Sequence, residues 1–523
     1  MPLFEKFDLV SPPEVFNFIS KSKPKTSPLD PIPTWIVKKL PALFTPVLCS
    51  IVNLSLSAGV FPESEKQAIV TPVLKKRSLD KDDCNNYRPI SVLSFISKLI
   101  ESVVSKKIDQ FLDTYGLFSP FQSAYRVSHS TETVLLHLTN HFAVARSSHL
   151  ISCMITLDLS SAFDTVDHEI LLDRLHHNFN FSGVVLQFFS SYLNNRTQTI
   201  RFNSQLSDSY TLSCGVPQGS VLGPRLYSLY VAPVSEIIRS YNLSHHMYAD
   251  DTCLYFSFSP ADASDSIEKF ECCILHLCDW FNSNRLKINS NKTEFMIFNP
   301  ISKNAAEYVT VAGVKIFPSS LIRYLGVKLD PTLSFEQYVN DVFKSCFAFL
   351  RSLYRIRSYI PESTLISIVN VFIYYRLDYC NSLFSFCNQR TIDRLQRVQN
   401  CFARLVKRLP KRSPTSSAIK DLGWLRMDDR ISYKILCMTH KCIYGSSPPY
   451  LKELLSSPCS VSSSFSLRSQ SSVVLHAPIS SNAFVRRSFS FNAPRLWNSL
   501  PPVIRCECSY IVFKRLLKAH FSL

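Results

Sequence analysis

Residues 246–256 have the sequence His-Met-Tyr-Ala-Asp-Asp-Thr-Cys-Leu-Tyr-Phe, which places two adjacent carboxylates between two short apolar runs. The apolar and aromatic residues on each side predict two strands, and Ala-Asp-Asp-Thr predicts the tight turn of a hairpin. Neighbouring aspartates repel each other, although a turn tolerates them when both face water. An isolated pair of this kind is usually a solvated surface turn, so its meaning depends on the rest of the chain.

A second predicted strand lies upstream and also carries a carboxylate. Residues 151–157 are Ile-Ser-Cys-Met-Ile-Thr-Leu, and Asp158 follows at the C-terminal end, the usual place for a functional group on a sheet. If Asp158 converges with Asp250 and Asp251, the three carboxylates suit two hard divalent cations about 3.5–4 Å apart. Such a pair stabilises the attacking and leaving oxygens of an in-line phosphoryl transfer.

Two further stretches carry residues suited to a nucleotide. Residues 213–220, Ser-Cys-Gly-Val-Pro-Gln-Gly-Ser, surround Gln218 with two glycines and a proline, and glycine lets a backbone approach a ligand closely. Residues 67–74 predict a strand that leads to Lys75, and Pro89 biases Arg88 toward an extended conformation. A lysine point charge and an arginine fork from one hairpin could grip a triphosphate. The alternative is a solvated basic turn.

Local patterns predict several element boundaries. Apolar residues at helical spacing predict a core-packed helix over 98–112, and Ser130 is a candidate N-cap for a helix running to about residue 141. Asp167 is expected to cap the helix that begins at His168. Asp164 is interpreted, like Asp167, as a turn or capping residue and not as a metal ligand.

Five motifs, taken in order, resemble one known family. Residues 86–91, 121–126, 158–168, 215–220 and 248–251 closely resemble the motifs of reverse transcriptases from non-LTR (LINE-type) retrotransposons. Residues 292–294 and 324–327 continue the pattern, so the resemblance spans about residues 24–330. It implies an α+β right-hand polymerase with fingers, a palm with an antiparallel sheet and a helical thumb, followed by a basic, mainly helical C-terminal extension.

The resemblance also implies roles for individual residues. The implied catalytic carboxylates, which would bind two Mg²⁺ ions with Mn²⁺ able to substitute, are Asp158, Asp250 and Asp251. The implied nucleotide-binding residues are Lys75, Arg88, Phe163, Gln218 and Gly219. The implied primer or template contacts are Tyr248, Tyr324 and Gly326.

Two of the implied roles concern the reaction itself. The family places a bulky residue at the position of Phe163, under the incoming sugar, where it excludes a 2′-hydroxyl and so favours deoxynucleotides. Lys292 matches the position of a general acid near the leaving pyrophosphate. An ordinary surface lysine is the alternative for Lys292.

Composition agrees with a polyanionic partner. The chain has 523 residues, 46% of them hydrophobic, and a formal net charge of +17, which predicts two to four globular domains and favours nucleic acid as the partner. The 17 cysteines are scattered without a disulfide framework or a paired zinc motif, so they are expected to be reduced thiols.

Nothing at the N-terminus resembles a signal peptide, since acidic residues stand where a basic and then apolar segment is needed. The apolar run 365–375 is interrupted by Asn370 and is well short of about 20 residues. We therefore expect no membrane partner, no secretion, and an intracellular location that is nuclear and cytoplasmic.

Successive domains are predicted along the chain. An N-terminal extension covers residues 1–50, fingers and palm 51–330, and a helical thumb with a basic extension 331–455. Residues 390–434 contain twelve Lys or Arg against four Asp or Glu; this face could track a nucleic acid backbone, and a solvated basic face is the alternative. Residues 456–472 contain ten serines and are predicted to be a linker, with a small C-terminal module over 473–523.

The sequence thus predicts an RNA-directed DNA polymerase that extends a DNA primer on an RNA template with dNTPs. The alternative is a catalytically silent, RNA-binding descendant, and an intron-encoded maturase is less favoured because of the tail. Intact carboxylates argue against the silent alternative, because a binding protein has no need for an acidic cluster beside a polyanion. No part of the sequence resembles the endonuclease of complete elements, which is expected to be encoded elsewhere or missing from this chain.

Overall fold

The computed structural model describes residues 2–299, 307–455 and 474–522. The chain divides into two compact units, each assembled from three separate segments. Unit 1 comprises Met1–Tyr125, Asp158–Asn242 and Cys272–Asn291. Unit 2 comprises Arg126–Leu157, Leu243–Glu271 and Lys292–Leu523. The predicted linker at 456–472 lies outside the described residues.

Helices predominate over strands in the described residues, and both are present in each unit, so the coarse prediction of a mixed α and β fold is confirmed. The strands are β1 Gln67–Leu74, β2 Tyr87–Val92, β3 Ile151–Leu157, β4 Leu159–Ser160, β5 Thr197–Phe202, β6 Gln205–Leu206, β7 Tyr210–Thr211, β8 Ser244–Tyr248, β9 Asp251–Phe258, β10 Lys287–Ile288, β11 Glu294–Phe298, β12 Val309–Val311, β13 Val314–Ile316, β14 Ile322–Tyr324 and β15 Val327–Leu329. The helices of the first part are α1 Pro12–Lys21, α2 Thr34–Lys39, α3 Pro41–Ala58, α4 Phe95–Thr114, α5 Thr131–Ser147, α6 His168–His177, α7 Gly183–Leu193, α8 Gly223–Tyr230, α9 Val234–Ser240 and α10 Ala263–Ser283. The later helices are α11 Glu336–Ile356, α12 Glu362–Val369, α13 Tyr375–Asp378, α14 Gln389–Lys407, α15 Ser416–Asp421, α16 Met427–Ile443, α17 Pro449–Glu453, α18 Phe489–Asn498, α19 Pro502–Arg505 and α20 Tyr510–Ser522.

Unit 1 is built on a small mixed sheet with the order β2-β1-β5-β6, and β7 also pairs with β5. The predicted strand over 67–74 is confirmed as β1, which is antiparallel to β2 and parallel to β5. The β1–β2 register places Val73 opposite Arg88 and Val70 opposite Ser91. Both ends of the predicted helix 98–112 extend slightly to give α4, whose buried apolar side chains confirm the predicted stripe.

The first 50 residues pack within unit 1. The ring of Phe4 stacks on that of Phe111, with ring centroids 4.6 Å apart. The amide of Val10 donates to Asn53 Oδ1 over 2.9 Å, and α1 packs against α3. This segment, predicted as an N-terminal extension, therefore contributes to the core of unit 1.

Helix α3 was not singled out from the sequence, although it is the most apolar long helix. By length and composition it could cross a membrane, and about a third of it is buried. It packs against α1, α4 and α7 of the same unit. A single helix of this kind is weak evidence for a membrane span, because core helices of other proteins pass the same test.

Unit 2 contains an antiparallel sheet with the order β11-β3-β9-β8. Helix α5 packs against this sheet: the rings of Phe142 and Phe298 stack with centroids 4.1 Å apart. The predicted cap is confirmed, since Ser130 Oγ accepts a hydrogen bond from the amide of Thr133 over 3.2 Å. Helix α5 ends at Ser147, beyond the predicted end near residue 141.

The described C-terminal residues share a hydrophobic core with α16. Trp497, Phe513 and Leu517 are fully buried and form one cluster with Leu436 and Cys437 of α16. The segment predicted as a small C-terminal module is therefore packed into unit 2 through side chains that lie more than fifty residues upstream.

A cluster of histidines lies between α5 and the sheet of unit 2. His246 Nε2 lies 2.9 Å from His137 Nδ1, and His141 Nε2 lies 2.9 Å from Ser257 Oγ. Burial lowers the pKa of His137 from 6.5 to about 4, with a further contribution from His141. Burial lowers the pKa of His141 to about 4 as well. The folded protein therefore holds both rings neutral.

Unit 2 should lose stability as the pH falls from about 6.5 to 4, because the unfolded chain then binds protons that the folded chain does not. His141→Gln can keep the hydrogen bond to Ser257 and cannot become charged, so its melting temperature should fall less between pH 7 and pH 4.5 than that of the wild type. Circular dichroism melts at both pH values measure this difference. The control variant is His177→Gln, because the side chain of His177 is exposed. Equal slopes for wild type and His141→Gln would contradict the prediction.

Candidate functional site

The two adjacent carboxylates lie at the tip of the β8–β9 hairpin. Tyr248 pairs with Asp251, so the turn consists of Ala249 and Asp250 alone. The predicted four-residue turn was too long, because the backbone of Asp251 already belongs to β9. Two-residue turns match the twist of the flanking strands. The two carboxylates are therefore attached to backbone of different conformation, because Asp250 belongs to the turn and Asp251 to β9.

Ala249 has a left-handed φ of 58° and is 7% exposed. Glycine is the usual residue for such a turn position, and a residue with a Cβ costs roughly 1 kcal/mol more there. Asp250 is half-buried and Asp251 is exposed. The hairpin thus holds two carboxylates at the edge of unit 2, next to a strained position of the kind that clusters at functional sites.

Asp158 directly follows β3, the central partner of β9. Leu157, the last residue of β3, pairs with Thr252, which is the neighbour of Asp251 in the chain. Asp158 itself is the first residue of a unit 1 segment, and its carbonyl oxygen accepts from the amide of Asn289 over 2.8 Å. No three His, Cys, Asp or Glu side chains are grouped to hold a metal ion within the described ranges. The three-carboxylate metal site therefore stays a prediction.

The predicted primer-contacting turn is a second tight hairpin in unit 2, between β14 and β15. Its two loop residues, Leu325 and Gly326, have φ values of 46° and 81°. The Tyr379 hydroxyl donates to the Leu325 carbonyl over 2.7 Å, and a Cβ on Gly326 would lie 3.2 Å from that hydroxyl. Tyr379, which no sequence signal indicated, thus fixes the tip of this turn.

The side chains of Tyr324 and Tyr248 differ in accessibility. Tyr324 is only 2% exposed, and burial raises its pKa, to which the charges of Cys253 and Asp251 add. Its ring therefore lies inside unit 2, and its predicted contact with primer or template stays a prediction. Tyr248 is half-buried, and burial also raises its pKa.

The loop over residues 213–220, called the glycine-containing loop below, belongs to unit 1. It contacts β2 and the turn after β4. The amide of Ser91 donates to the Gln218 carbonyl over 2.8 Å. A Cβ on Gly219 would lie 2.4 Å from the Ser91 carbonyl oxygen, and φ at Gly219 is 133°. Gly219 therefore permits a close backbone approach to the protein's own strand β2, and the predicted approach to a nucleotide stays a prediction.

Gln218, predicted to contact the nucleotide, binds Asp164 in this structure. Its Nε2 lies 2.9 Å and 2.8 Å from the two carboxylate oxygens. Burial raises the pKa of Asp164, while the hydrogen bond from Gln218 and the positive charge of Lys75 oppose the increase. Asp164 forms a turn, as predicted, through its amide and the Ser161 carbonyl. Its pairing with Gln218 was not predicted.

Backbone hydrogen bonds join the same loop to the segment that carries Phe163. The amide of Val216 donates to the Phe163 carbonyl over 2.8 Å, and that of Gly215 donates to the Val166 carbonyl over 2.7 Å. The half-buried ring of Phe163 packs against Tyr227 with centroids 4.7 Å apart. The predicted cap of α6 is confirmed, because Asp167 accepts from the amides of Glu169 and Ile170.

The two predicted triphosphate-binding residues of the β1–β2 hairpin, Lys75 and Arg88, are both exposed. Lys75 follows β1, and its Nζ donates to the Asn85 carbonyl over 2.7 Å. Arg88 lies on β2. Lys292 is exposed at the end of the 3₁₀ turn Ser290–Lys292. Its role as a general acid and its alternative as a surface lysine both stay predictions.

Glu101 is a residue that sequence reasoning missed. It is completely buried in α4, where its carboxylate accepts hydrogen bonds from the amides of Val221 and Leu222 and from Ser97 Oγ. Burial raises its pKa, and the charge of Arg196 and these hydrogen bonds oppose the increase. A glutamate on a mostly apolar face was the available signal. Glu101 fixes the C-terminal end of the glycine-containing loop.

Comparison with known proteins agrees with these motifs. Residues 74–329 match the family described as "Reverse transcriptase (RNA-dependent DNA polymerase)", and this range includes every predicted site residue. Those residues form a reverse transcriptase domain. Together with the relatives named below, this match supports the resemblance to reverse transcriptases of non-LTR retrotransposons that the motifs indicated.

Three relatives illustrate the similarity. The chain is 28% identical over 394 residues to the probable RNA-directed DNA polymerase from transposon X-element of Drosophila melanogaster, covering 74% of this chain and 43% of that protein. It is 26% identical over 434 residues to the corresponding protein from transposon BS of the same species, covering 80% and 47%. It is 26% identical over 438 residues to the RNA-directed DNA polymerase from mobile element jockey of Drosophila funebris, covering 81% and 47%.

The chain spans less than half the length of these relatives. Among solved structures, apo telomerase from Candida tropicalis, truncated from its C-terminal domain, matches with a TM-score of 0.36 and 12% identity over 52% of this chain and 54% of that one.

Gly219→Ala should distort the contact between the glycine-containing loop and β2, because the added methyl group would clash with the Ser91 carbonyl. We expect a loss of about 1–3 kcal/mol beyond the backbone strain. Gly116→Ala is the matched control, since Gly116 also has a positive φ of 63° but has nothing within 4 Å of its Cβ position; strain alone should cost about 1 kcal/mol. Urea denaturation measures both, and equal losses would contradict the clash.

Proposed function

We propose that this chain is an RNA-directed DNA polymerase of a non-LTR retrotransposon, which extends a DNA primer on an RNA template with dNTPs. The observation that carries the proposal is the register of unit 2. In this register Asp250 lies in the two-residue turn and Asp251 begins β9, which pairs with the strand that directly precedes Asp158. The family match and the names of the relatives support the same reaction.

A right-hand arrangement of the polymerase is part of the proposal. The antiparallel sheet β11-β3-β9-β8 is assigned to the palm, and the β1–β2 hairpin with its exposed Lys75 and Arg88 is assigned to the fingers. The helices from residue 331 to 455 are assigned to the thumb and a basic extension. All but two residues of β9 are buried, and its charged residue, Asp251, stands at its exposed start. This pattern suits a palm strand that presents charge only at one end.

The donor chemistry of the carboxylates fits divalent cations, since Mg²⁺ prefers ionised oxygen ligands and retains several waters. We propose that Asp158, Asp250 and Asp251 hold two Mg²⁺ ions, for which Mn²⁺ can substitute. When bound, such ions would neutralise charge that develops on the reacting phosphate. The hairpin's own contribution is to fix two carboxylates at one place, so that they need little reorganisation.

The residues of unit 1 are assigned to the incoming dNTP. Arg88 and Lys75 would bind the triphosphate, and the half-buried ring of Phe163, held against Tyr227, would exclude a 2′-hydroxyl. Gln218 would exchange its hydrogen bonds to Asp164 for contacts with the nucleotide or template. Lys75 lies near enough to lower the pKa of Asp164, which supports a common site for these groups.

The remaining assignments concern the primer and the surroundings. Tyr248 and the Leu325-Gly326 turn are assigned to the primer, and Lys292 to protonation of the leaving pyrophosphate. We propose an intracellular location, nuclear and cytoplasmic, in keeping with the free thiols among the described cysteines.

Asp250→Asn should abolish primer extension on an RNA template with dNTPs and Mg²⁺. The amide is a neutral and weaker metal ligand, so we expect a loss on the order of 10³-fold or more, since a bound metal ion contributes several kcal/mol of transition-state stabilisation. The assay compares the rates of extension of a labelled DNA primer by wild type and variant.

Asp173→Asn is the matched control, because Asp173 has a side chain that is 71% exposed; it should extend the primer at the wild-type rate. A folded wild type that binds RNA and extends no primer would favour the silent RNA-binding alternative. An active Asp250→Asn variant would overturn the assignment of this hairpin.

Phe163→Ala should admit ribonucleotides. Removing the ring opens space where the 2′-hydroxyl is expected, so the preference for dTTP over rUTP, measured as the ratio of kcat/KM values, should fall by roughly tenfold or more. Phe202→Ala, which removes a ring that is 57% exposed from the same unit, should leave the ratio unchanged. An unaltered preference in Phe163→Ala would remove this residue from the sugar site.

A further inference from the structure

A polar cavity of about 450 Å³ lies among the C-terminal helices of unit 2. This volume falls within the range of small-molecule sites in proteins, roughly 300–1,000 Å³. Its lining combines aromatic, cationic and amide side chains, and the residues used below are Tyr374, Asn381, Trp424, Tyr433, Lys434 and Lys518. None of them belongs to the residues assigned above to catalysis or nucleotide binding.

The cavity is positively charged overall. Its one carboxylate, Asp378, is neutralised by Arg430, whose Nε donates to Asp378 Oδ1 over 2.8 Å and whose Nη2 reaches the other oxygen. Lys434 is paired with Glu132 over 3.0 Å. In the part of the chain that the structure describes, Lys518 forms no salt bridge, so its charge is available to an anion.

The aromatic part of the lining is held rigidly. The Arg430 guanidinium lies over the ring of Tyr374, 4.1 Å from its centroid, and the Trp424 ring meets Tyr374 edge-on at 5.1 Å. Tyr374 ends a π-helical turn over Asn370–Tyr374, a local irregularity that is frequent at functional sites. Tyr433 is half-buried in α16 and presents a further ring.

An unsatisfied acceptor also lines the cavity. Asn381 is 2% exposed, and its Nδ2 donates to Asp378 Oδ1 over 3.2 Å. Its Oδ1 is buried and accepts no hydrogen bond from any described residue. A buried acceptor without a donor is costly, and an amino group of a ligand would supply the missing donor.

Gly423 has no side chain that would obstruct the cavity beside Lys518. It has a left-handed φ of 63°, and the nearest atom to its Cβ position is Lys518 Nζ, 3.9 Å away. The cavity thus offers a cation at one side, rings in the lining and an unpaired acceptor. A ligand that matches all three has an anionic group, a flat ring and an amino or imino donor.

We propose that this cavity holds one unpaired nucleotide of a single-stranded RNA, with its base against the aromatic lining and its phosphate at Lys518. Stacking on aromatic rings and a cationic contact to the backbone are the usual elements of single-strand recognition. The choice of RNA rests on the proposed function, whereas the cavity and its charge do not.

The test measures binding of the full chain to a fluorescein-labelled single-stranded RNA of about 12 nucleotides containing 4-thiouridine. Lys518→Glu should raise the Kd by roughly tenfold, and Tyr433→Leu should do the same through loss of stacking. Ultraviolet cross-linking of the wild type, followed by mass spectrometry, should label peptides that line the cavity. An RNA hairpin without unpaired nucleotides should compete poorly.

Arg515→Glu is the matched control, because it makes the same change of charge on the same exposed face of α20 without lining the cavity. It should raise the Kd by less than about twofold. Equal effects of Lys518→Glu and Arg515→Glu, or cross-links confined to other peptides, would overturn the proposal. Competition by free nucleotide alone, with no RNA cross-link, would overturn the choice of RNA.

The outcome is separable from that of the polymerase. A chain that extends primers but binds RNA equally well after Lys518→Glu would retain the proposed function and lose this site. A chain that extends no primer but cross-links RNA through Tyr433 or its neighbours would lose the polymerase assignment and retain the site.

Discussion

The register between β8 and β9 is the constraint on which the proposed active site depends. Pairing of Tyr248 with Asp251 leaves only Ala249 and Asp250 for the turn, and the left-handed backbone at Ala249 follows from it. A shift by one residue would move each carboxylate to the opposite face of the sheet. The largely buried side chains of β9 oppose such a shift, because it would force residues of different size and shape into a close-packed core.

Unit 1 fixes its candidate nucleotide residues in a different way, by backbone contacts to a loop without regular structure. Glu101 binds one end of that loop, Ser91 meets its middle, and the segment after β4 binds its beginning. The candidate site residues therefore lie on a hairpin with a two-residue turn in unit 2 and on a loop in unit 1 that hydrogen bonds hold at several points. The side chain of Gln218 pairs with Asp164, and both partners are only partly buried.

Much of this organisation was predictable from the sequence, for identifiable reasons. Alternating or apolar runs predicted β1, β3 and the hairpin strands, and polar caps predicted the starts of α5 and α6. The motif order predicted the family. Contacts between distant segments were not predictable, because no local pattern records that Glu101 meets residue 221 or that Tyr379 meets Leu325. The sequence also gave no sign that the last helices complete their core with side chains of α16, since an apolar stripe does not specify its partner.

The division of the chain into interleaved segments has a consequence for its synthesis. Unit 1 begins at the N-terminus, yet its last segment ends at residue 291. A ribosome that adds about 5–20 residues per second needs roughly ten to thirty seconds to pass from residue 125 to residue 291. During much of that interval the first segment lacks partners that are made later: β1 lacks β5, and the apolar helix α3 has α1 and α4 but not α7. Nascent chains of this protein should therefore depend on chaperones until late in translation, and a cut at any single point would leave at least one unit incomplete.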